Sequence, residues 1–170
     1  MLRSPYLIIA VLLCQMGCTA QKKDKTSEVQ EEKESLTFQK THLWDVFISE
    51  GVTVGDVNND GEIDILAGAY WFEAPEWQAH EIQQPKAYDY TKGYSDAFLS
   101  YPLDVNEDGW VDHIIYGFPG KNVSWYENPK GKDVHWTEHV IDSNACNESP
   151  FFGDLDGNGR MDLVFGNENT

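Results

Sequence analysis

The stretch Asp56-Val57-Asn58-Asn59-Asp60-Gly61-Glu62-Ile63-Asp64 decides how this chain is read. Counted from Asp56, oxygen-bearing side chains stand at positions 1, 3, 5 and 9, with a glycine at position 6. That spacing wraps Asp56, Asn58, Asp60 and Asp64 around one hard cation, and the main-chain carbonyl of Glu62 at position 7 adds an oxygen. The glycine permits the sharp turn between them. The pattern returns as Asp104, Asn106, Asp108, the carbonyl of Trp110, and Asp112. It returns again as Asp154, Asp156, Asn158, the carbonyl of Arg160, and Asp162. The first ligands of successive loops lie 48 and 50 residues apart, a period that marks a repeat architecture.

Asp, Asn and Gly also cluster in ordinary turns. Three such loops in register, each running into an apolar β-rich segment, specify more than a turn. They are not EF-hands. Position 12 holds Ala67, Ile115 and Phe165 where an EF-hand has a bidentate Glu, and β-formers follow where it has a helix.

Composition narrows the function. The 170 residues carry a formal charge of −17. No basic surface is available to displace counterions from nucleic acid or to dock electrostatically on anionic lipid. Nine of the acidic residues are the loop aspartates. Crowded without a cation, they repel one another, and some of their pKa values are expected to rise.

Residues 1–17 read as a signal peptide, with Arg3 as its positive end and an apolar run over 6–13 too short to span a bilayer. The sequence Gln15-Met16-Gly17-Cys18 resembles a bacterial lipobox. That implies a lipid on Cys18 and a chain anchored to the membrane of the cell envelope, at the outer membrane or cell surface. Cleavage by an ordinary signal peptidase is the alternative, and either route exports the protein. Residues 18–35 are polar, charged and free of aromatics, a disordered tether. With Cys14 removed and Cys18 acylated, Cys146 is the one remaining thiol, which excludes an internal disulfide framework.

From residue 36 aromatics and β-branched residues take over. After each of the first two loops comes an apolar segment (63–69, 111–117). Then come Trp71-Phe72-Glu73-Ala74-Pro75 or Trp125-Tyr126-Glu127-Asn128-Pro129, and then 77–82 or 136–141. Four short strands in about 50 residues make the blade of a β-propeller. Trp71, Trp77, Trp125 and Trp136 recur with the repeat and are expected in the core between blades. His80 and His139 are expected to serve the blade's own packing or hydrogen bonding, and His113 to be a hydrogen-bonded core histidine, with a ligand role as the alternative. Tyr88, Tyr90, Tyr94 and Phe98 in the long connection 83–100 either pack among themselves or offer a surface to a sugar or a protein.

These loops and flanking strands resemble the FG-GAP and VCBS repeats of integrin-like propellers, and 125–129 is similar to the third-strand signature of such repeats in bacterial lipoproteins. The resemblance covers residues 50–170. It implies Ca²⁺ as the cofactor in each loop (56–64, 104–112, 154–162), held by the residues named above. The expected fold of 36–170 is all-β: a partial propeller of four-stranded blades with Ca²⁺-binding loops. At about three repeats, it is a fragment of the seven-bladed propeller usual in the family, or a piece that closes by self-assembly. The expected function is a calcium-binding, envelope-anchored module that binds protein or glycan and is not an enzyme. The alternative is the propeller part of a sugar-processing lyase or dehydratase with a metal-dependent site. The sequence has no Gly-rich phosphate loop and no GxSxG, HExxH or CxxC motif. On metabolic labelling with a fatty acid, the wild-type chain should take up label and Cys18→Ser should not. Unlabelled wild-type protein in the soluble fraction would show simple secretion instead.

Overall fold

The computed structural model describes residues 36–167; the signal segment, Cys18 and the tether lie outside the described residues. All ten strands fall within the unit Lys40–Thr170. Two four-stranded antiparallel sheets follow each other along the chain. Blade one is β1 (Thr53–Gly55), β2 (Asp64–Ala67), β3 (Tyr70–Glu73) and β4 (Gln78–Glu81). Blade two is β5 (Leu99–Leu103), β6 (Asp112–Tyr116), β7 (Lys121–Glu127) and β8 (Thr137–Ala145). A third begins with the pair β9 (Phe151–Gly153) and β10 (Asp162–Val164). In each unit the candidate cation loop joins the first strand to the second, as the repeat reading requires.

Strand alternation shares blade two between two cores. On β6 all five residues are buried. Ile115 packs with Val57, Leu66, Ile82 and Trp71 of the preceding repeat and with Ala97, Tyr126 and Trp136. Its neighbours Ile114 and Tyr116 turn the other way, to Val123 and Ala145 and to Phe152, Leu163 and Phe165 of the third repeat. A strand covered on both faces has no polar side, which is why Asp112-His113-Ile114-Ile115-Tyr116 shows so little polar–apolar alternation. Gly51 lets the entry to blade one approach β5: a Cβ there would lie 2.7 Å from the Leu99 backbone, and its N–H donates to the Ala97 carbonyl at 3.1 Å.

Three expectations need correction or completion. Trp77 belongs to neither core; it is half-buried in the turn between β3 and β4 with φ 59°. Trp136 is buried because the longer β7–β8 connection reaches across to blade one, where its N–H donates to the Ile82 carbonyl at 2.8 Å. His113 is in the core, but neither ring nitrogen has a hydrogen-bond partner among the described residues. Its cross-strand neighbours are Pro102, which has no polar side chain, and Tyr126, whose hydroxyl is donated to Gln83. Burial pushes the His113 pKa down to about 3, so the ring is neutral. In the long connection, Tyr88 and Tyr90 pack edge-on against Phe47, and Tyr94 stacks on Phe118. The loop's aromatics thus lean on Phe47 and Phe118 outside it, while Tyr90 and Tyr94 remain exposed.

Asn128 joins the two blades. Its side-chain amide donates to the carbonyls of Val57 in loop one and Val111 in loop two, both at 2.9 Å, and accepts the Lys130 N–H at 2.9 Å. Removing the amide leaves two sheltered carbonyls without partners, at about 1–3 kcal/mol each when fully buried. Asn128→Ala should lower stability by about 2–3 kcal/mol in urea denaturation. An unchanged midpoint would mean that water replaces the amide and that this tie carries no weight.

Candidate metal-binding loops

The three loops fold with one hydrogen-bond plan. The carboxylate at position 1 accepts the N–H of positions 5 and 6: Asp56 from Asp60 and Gly61 at 3.1 and 3.0 Å, Asp104 from Asp108 and Gly109 at 2.9 and 2.7 Å, Asp154 from Asn158 and Gly159 at 3.0 and 2.8 Å. The side-chain oxygen at position 3 (Asn58, Asn106, Asp156) accepts the same position-5 N–H at 3.1 Å. Position 5 in turn accepts the N–H of position 7 from Glu62, Trp110 or Arg160. The chain is thereby curled so that positions 1, 3 and 5 present their oxygens inward. Position 6 is a glycine at φ 93°, 88° and 85°, with open space where a Cβ would sit, so conformation and not crowding requires it.

Position 9 does different work in different loops. Asp64 and Asp112 are fully buried. Each closes its loop by accepting the position-2 N–H, from Val57 at 2.9 Å or Val105 at 3.0 Å. The other oxygen takes an N–H just past the third strand, from Ala74 at 2.9 Å or Asn128 at 2.8 Å. A carboxylate has about four acceptor positions, so two remain on each for a cation. Asp162 accepts the Leu155 N–H at 2.8 Å, and its carboxylate lies with those of Asp154 and Asp156, oxygens within 4.8 Å of one another. Among the described residues this is the one such set of three.

Burial raises the pKa of Asp64 and takes Asp112 up to about 6. The backbone donors partly offset this, while Asp60 and Asp56, or Asp108 and Asp104, add to the rise. The expected rise is there, but desolvation is its leading cause, ahead of carboxylate repulsion. Asp108 goes the other way: partial desolvation pushes it up, and the Lys130 ammonium and the Asn106 amide outweigh that and hold it low.

Several residues of the site escape a reading by spacing. Position 4 (Asn59, Glu107, Gly157) is left-handed in every loop, at φ 60°, 58° and 77°. Glu73 and Glu127, at the ends of the third strands, each accept a hydrogen bond from the position-3 Asn, at 3.1 and 3.3 Å. Each also pairs with the histidine of the fourth strand, His80 at 2.8 Å and His139 at 2.9 Å. Those imidazoles stack on Trp71 and Trp125, ring centroids 4.3 and 4.2 Å apart. The recurrence of Trp, Glu and His in both repeats was the signal that could have found them. The loops also touch one another. The Asn59 amide donates to the Gly109 carbonyl at 3.1 Å, and Arg160 pairs with Glu107 at 2.7 Å.

The donor set fits a hard divalent cation: all the candidate ligand atoms are oxygens, and no sulfur or imidazole enters the loops. The Lys130 ammonium is already drawn to one of them, Oδ2 of Asp108, at 3.1 Å.

Residues 104–165, from the first ligand position of loop two to one residue past the third repeat's strand pair, match the model of the FG-GAP-like repeat. No curated protein and no solved structure matches the chain. The all-β architecture of successive four-stranded sheets, with a cation-type loop between the first two strands of each, is consistent with an FG-GAP/VCBS repeat family, and residues 104–165 carry the FG-GAP-like repeat itself.

Proposed function

We propose that this protein is a calcium-binding propeller module, held on the cell envelope through Cys18, that binds a protein or carbohydrate and is not an enzyme. One observation carries the calcium reading. The same backbone-to-carboxylate plan curls three separate loops, and in the third it gathers Asp154, Asp156 and Asp162 within 4.8 Å. Four side-chain positions and a main-chain carbonyl make a flexible oxygen cage with more protein ligands than Mg²⁺ ordinarily accepts. Export and anchoring are supported by residues 1–18 and the polar tether behind them. Binding as the role is supported by the repeat family and by the acidity that disfavours nucleic acid.

Calorimetry should therefore find Ca²⁺ bound in preference to Mg²⁺. Equal affinity for Mg²⁺, or no heat at millimolar Ca²⁺, removes the reading. A cation that binds only the folded state adds stability by mass action, about 2.7 kcal/mol at a hundred times Kd. Asp60→Ala and Asp108→Ala should accordingly lower Tm in Ca²⁺ and lower it much less in EDTA. There the loss is confined to local contacts, the hydrogen bonds from Glu62 and Asn58 to Asp60, or that from Trp110 and the Lys130 ion pair to Asp108. An equal loss under both conditions would make these aspartates turn residues alone.

A further inference from the structure

We propose that Lys130 is a tethered competitor for the cation of loop two, so that loop two takes up Ca²⁺ more weakly than loop one. The inference rests on the calcium reading above and adds to it a gradation between sites that share one ligand pattern.

The two repeats correspond at the end of the third strand, and their turns diverge just beyond it: the Ala74-Pro75 bond is cis, and Lys130 is left-handed where Glu76 is not. Ala74 and Asn128 make the same hydrogen bond to the position-9 aspartate, at 2.9 and 2.8 Å, and two residues further along the sequence stand Glu76 and Lys130. The position-5 carboxylates then differ in one respect. Oδ1 accepts the position-7 N–H in both loops. In loop one, Oδ2 of Asp60 accepts the neutral amide of Asn58 at 2.9 Å. In loop two, Oδ2 of Asp108 meets the Lys130 ammonium at 3.1 Å.

The lysine is placed by its turn. It stands at φ 61° with its N–H on Asn128 Oδ1 at 2.9 Å, and the next residue, Gly131, is also left-handed at φ 71°. The Trp110 ring at position 7 lies against Gly131, its Cη2 3.4 Å from where a Cβ would be. The base of the lysine is thus held over loop two, and its ammonium is present at high effective concentration. The Asp108 side chain is 16% exposed and that of Lys130 52%, so the ion pair is sheltered on the carboxylate side and open to water on the ammonium side. The ammonium can swing into solvent without unfolding anything.

An ammonium has only donors and cannot join a shell of oxygen ligands around a cation. Ca²⁺ entering loop two must break the pair and then sit near a like charge that has nowhere far to go. At the corresponding sequence position blade one has Glu76, so it has no lysine there to compete. The other cation beside loop two, Arg160, rests on Glu107 at 2.7 Å, and Glu107 is not among the ligand positions. The loops also differ at position 4 (Asn59, Glu107) and position 7 (Glu62, Trp110), but Lys130 is the cationic group set on a candidate ligand carboxylate.

Trp110 gives loop two its own readout, because its carbonyl is at position 7 and its indole can sensitise bound Tb³⁺. Loops one and three have Glu62 and Arg160 there. The full chain is loaded with Tb³⁺, its luminescence is excited through tryptophan, and Ca²⁺ is titrated as competitor. Trp110→Phe identifies the part of the signal due to loop two. Removing the charge with Lys130→Gln, or with Lys130→Met to keep the stem, should tighten Ca²⁺ at loop two by about three- to tenfold. Lys130→Glu should tighten it further. The gap from wild type should narrow as KCl is raised, because the opposing interaction is a half-exposed charge. Wild type and both neutral variants binding Ca²⁺ with equal affinity, or the variants binding more weakly, overturns the role of Lys130 and leaves the calcium reading standing. Failure of the wild-type chain to take up either Tb³⁺ or Ca²⁺ overturns the calcium reading itself, and this inference with it.

Discussion

A buried carboxylate that accepts two backbone N–H groups is the constraint on which each complete blade depends. Asp64 and Asp112 sit at the first residue of the second strand, without solvent contact, and each bridges the start of its loop to the turn after the third strand. The loop is thereby closed and the third strand's exit is fixed relative to the second. A neutral side chain of similar size could not accept both N–H groups, and the donors would be left unpaired in a dry place. The charge is costly to bury, and the raised pKa of Asp112 expresses that cost. A cation drawn to the remaining lone pairs would offset it, so one residue serves the fold and the proposed metal site together.

Blades are joined by two kinds of contact that answer to different physics. Apolar faces form one kind: Leu66, Ile82 and Trp71 meet Ile115, Tyr126 and Trp136, and on the far side Ile114 and Tyr116 meet Phe152, Leu163 and Phe165. Such contacts are tolerant of small shifts. Directional bonds fix the register: Asn128 reaches Val57, Asn59 reaches Gly109, and Arg160 reaches Glu107. The last two run between neighbouring cation loops, and the first ties loop one to the turn after the third strand of blade two, so the edge that carries the proposed sites also holds directional ties between blades. The Glu73 and Glu127 carboxylates extend the same network to the fourth strands through His80 and His139.

The candidate ligands were legible in the sequence because they are local. Positions 1 to 9 of a loop are bound by their own backbone, and three copies at a steady spacing separate the pattern from a chance turn. Strand number, blade order and the all-β class followed from the same period. The corrections arose where the governing contact is distant. Trp77 and Trp136 look equivalent along the chain, yet the longer connection before Trp136 carries it into blade one's core and leaves Trp77 in a turn. His113 was expected to find a partner by the general rule for buried polar groups, and the residues opposite it happen to provide none.

The sequence by itself determined the repeat, the strands and the residues whose oxygens can face a cation, because periodicity and loop spacing are properties of neighbouring residues. The tertiary structure decided how those loops differ. Lys130 lies 22 residues beyond Asp108 in the chain, and only the return of the third strand sets its ammonium on that carboxylate. Glu73 comes to Asn58, and Asn128 to Val57, for the same reason: antiparallel pairing and the stacking of one blade on the next bring together side chains that no local pattern connects.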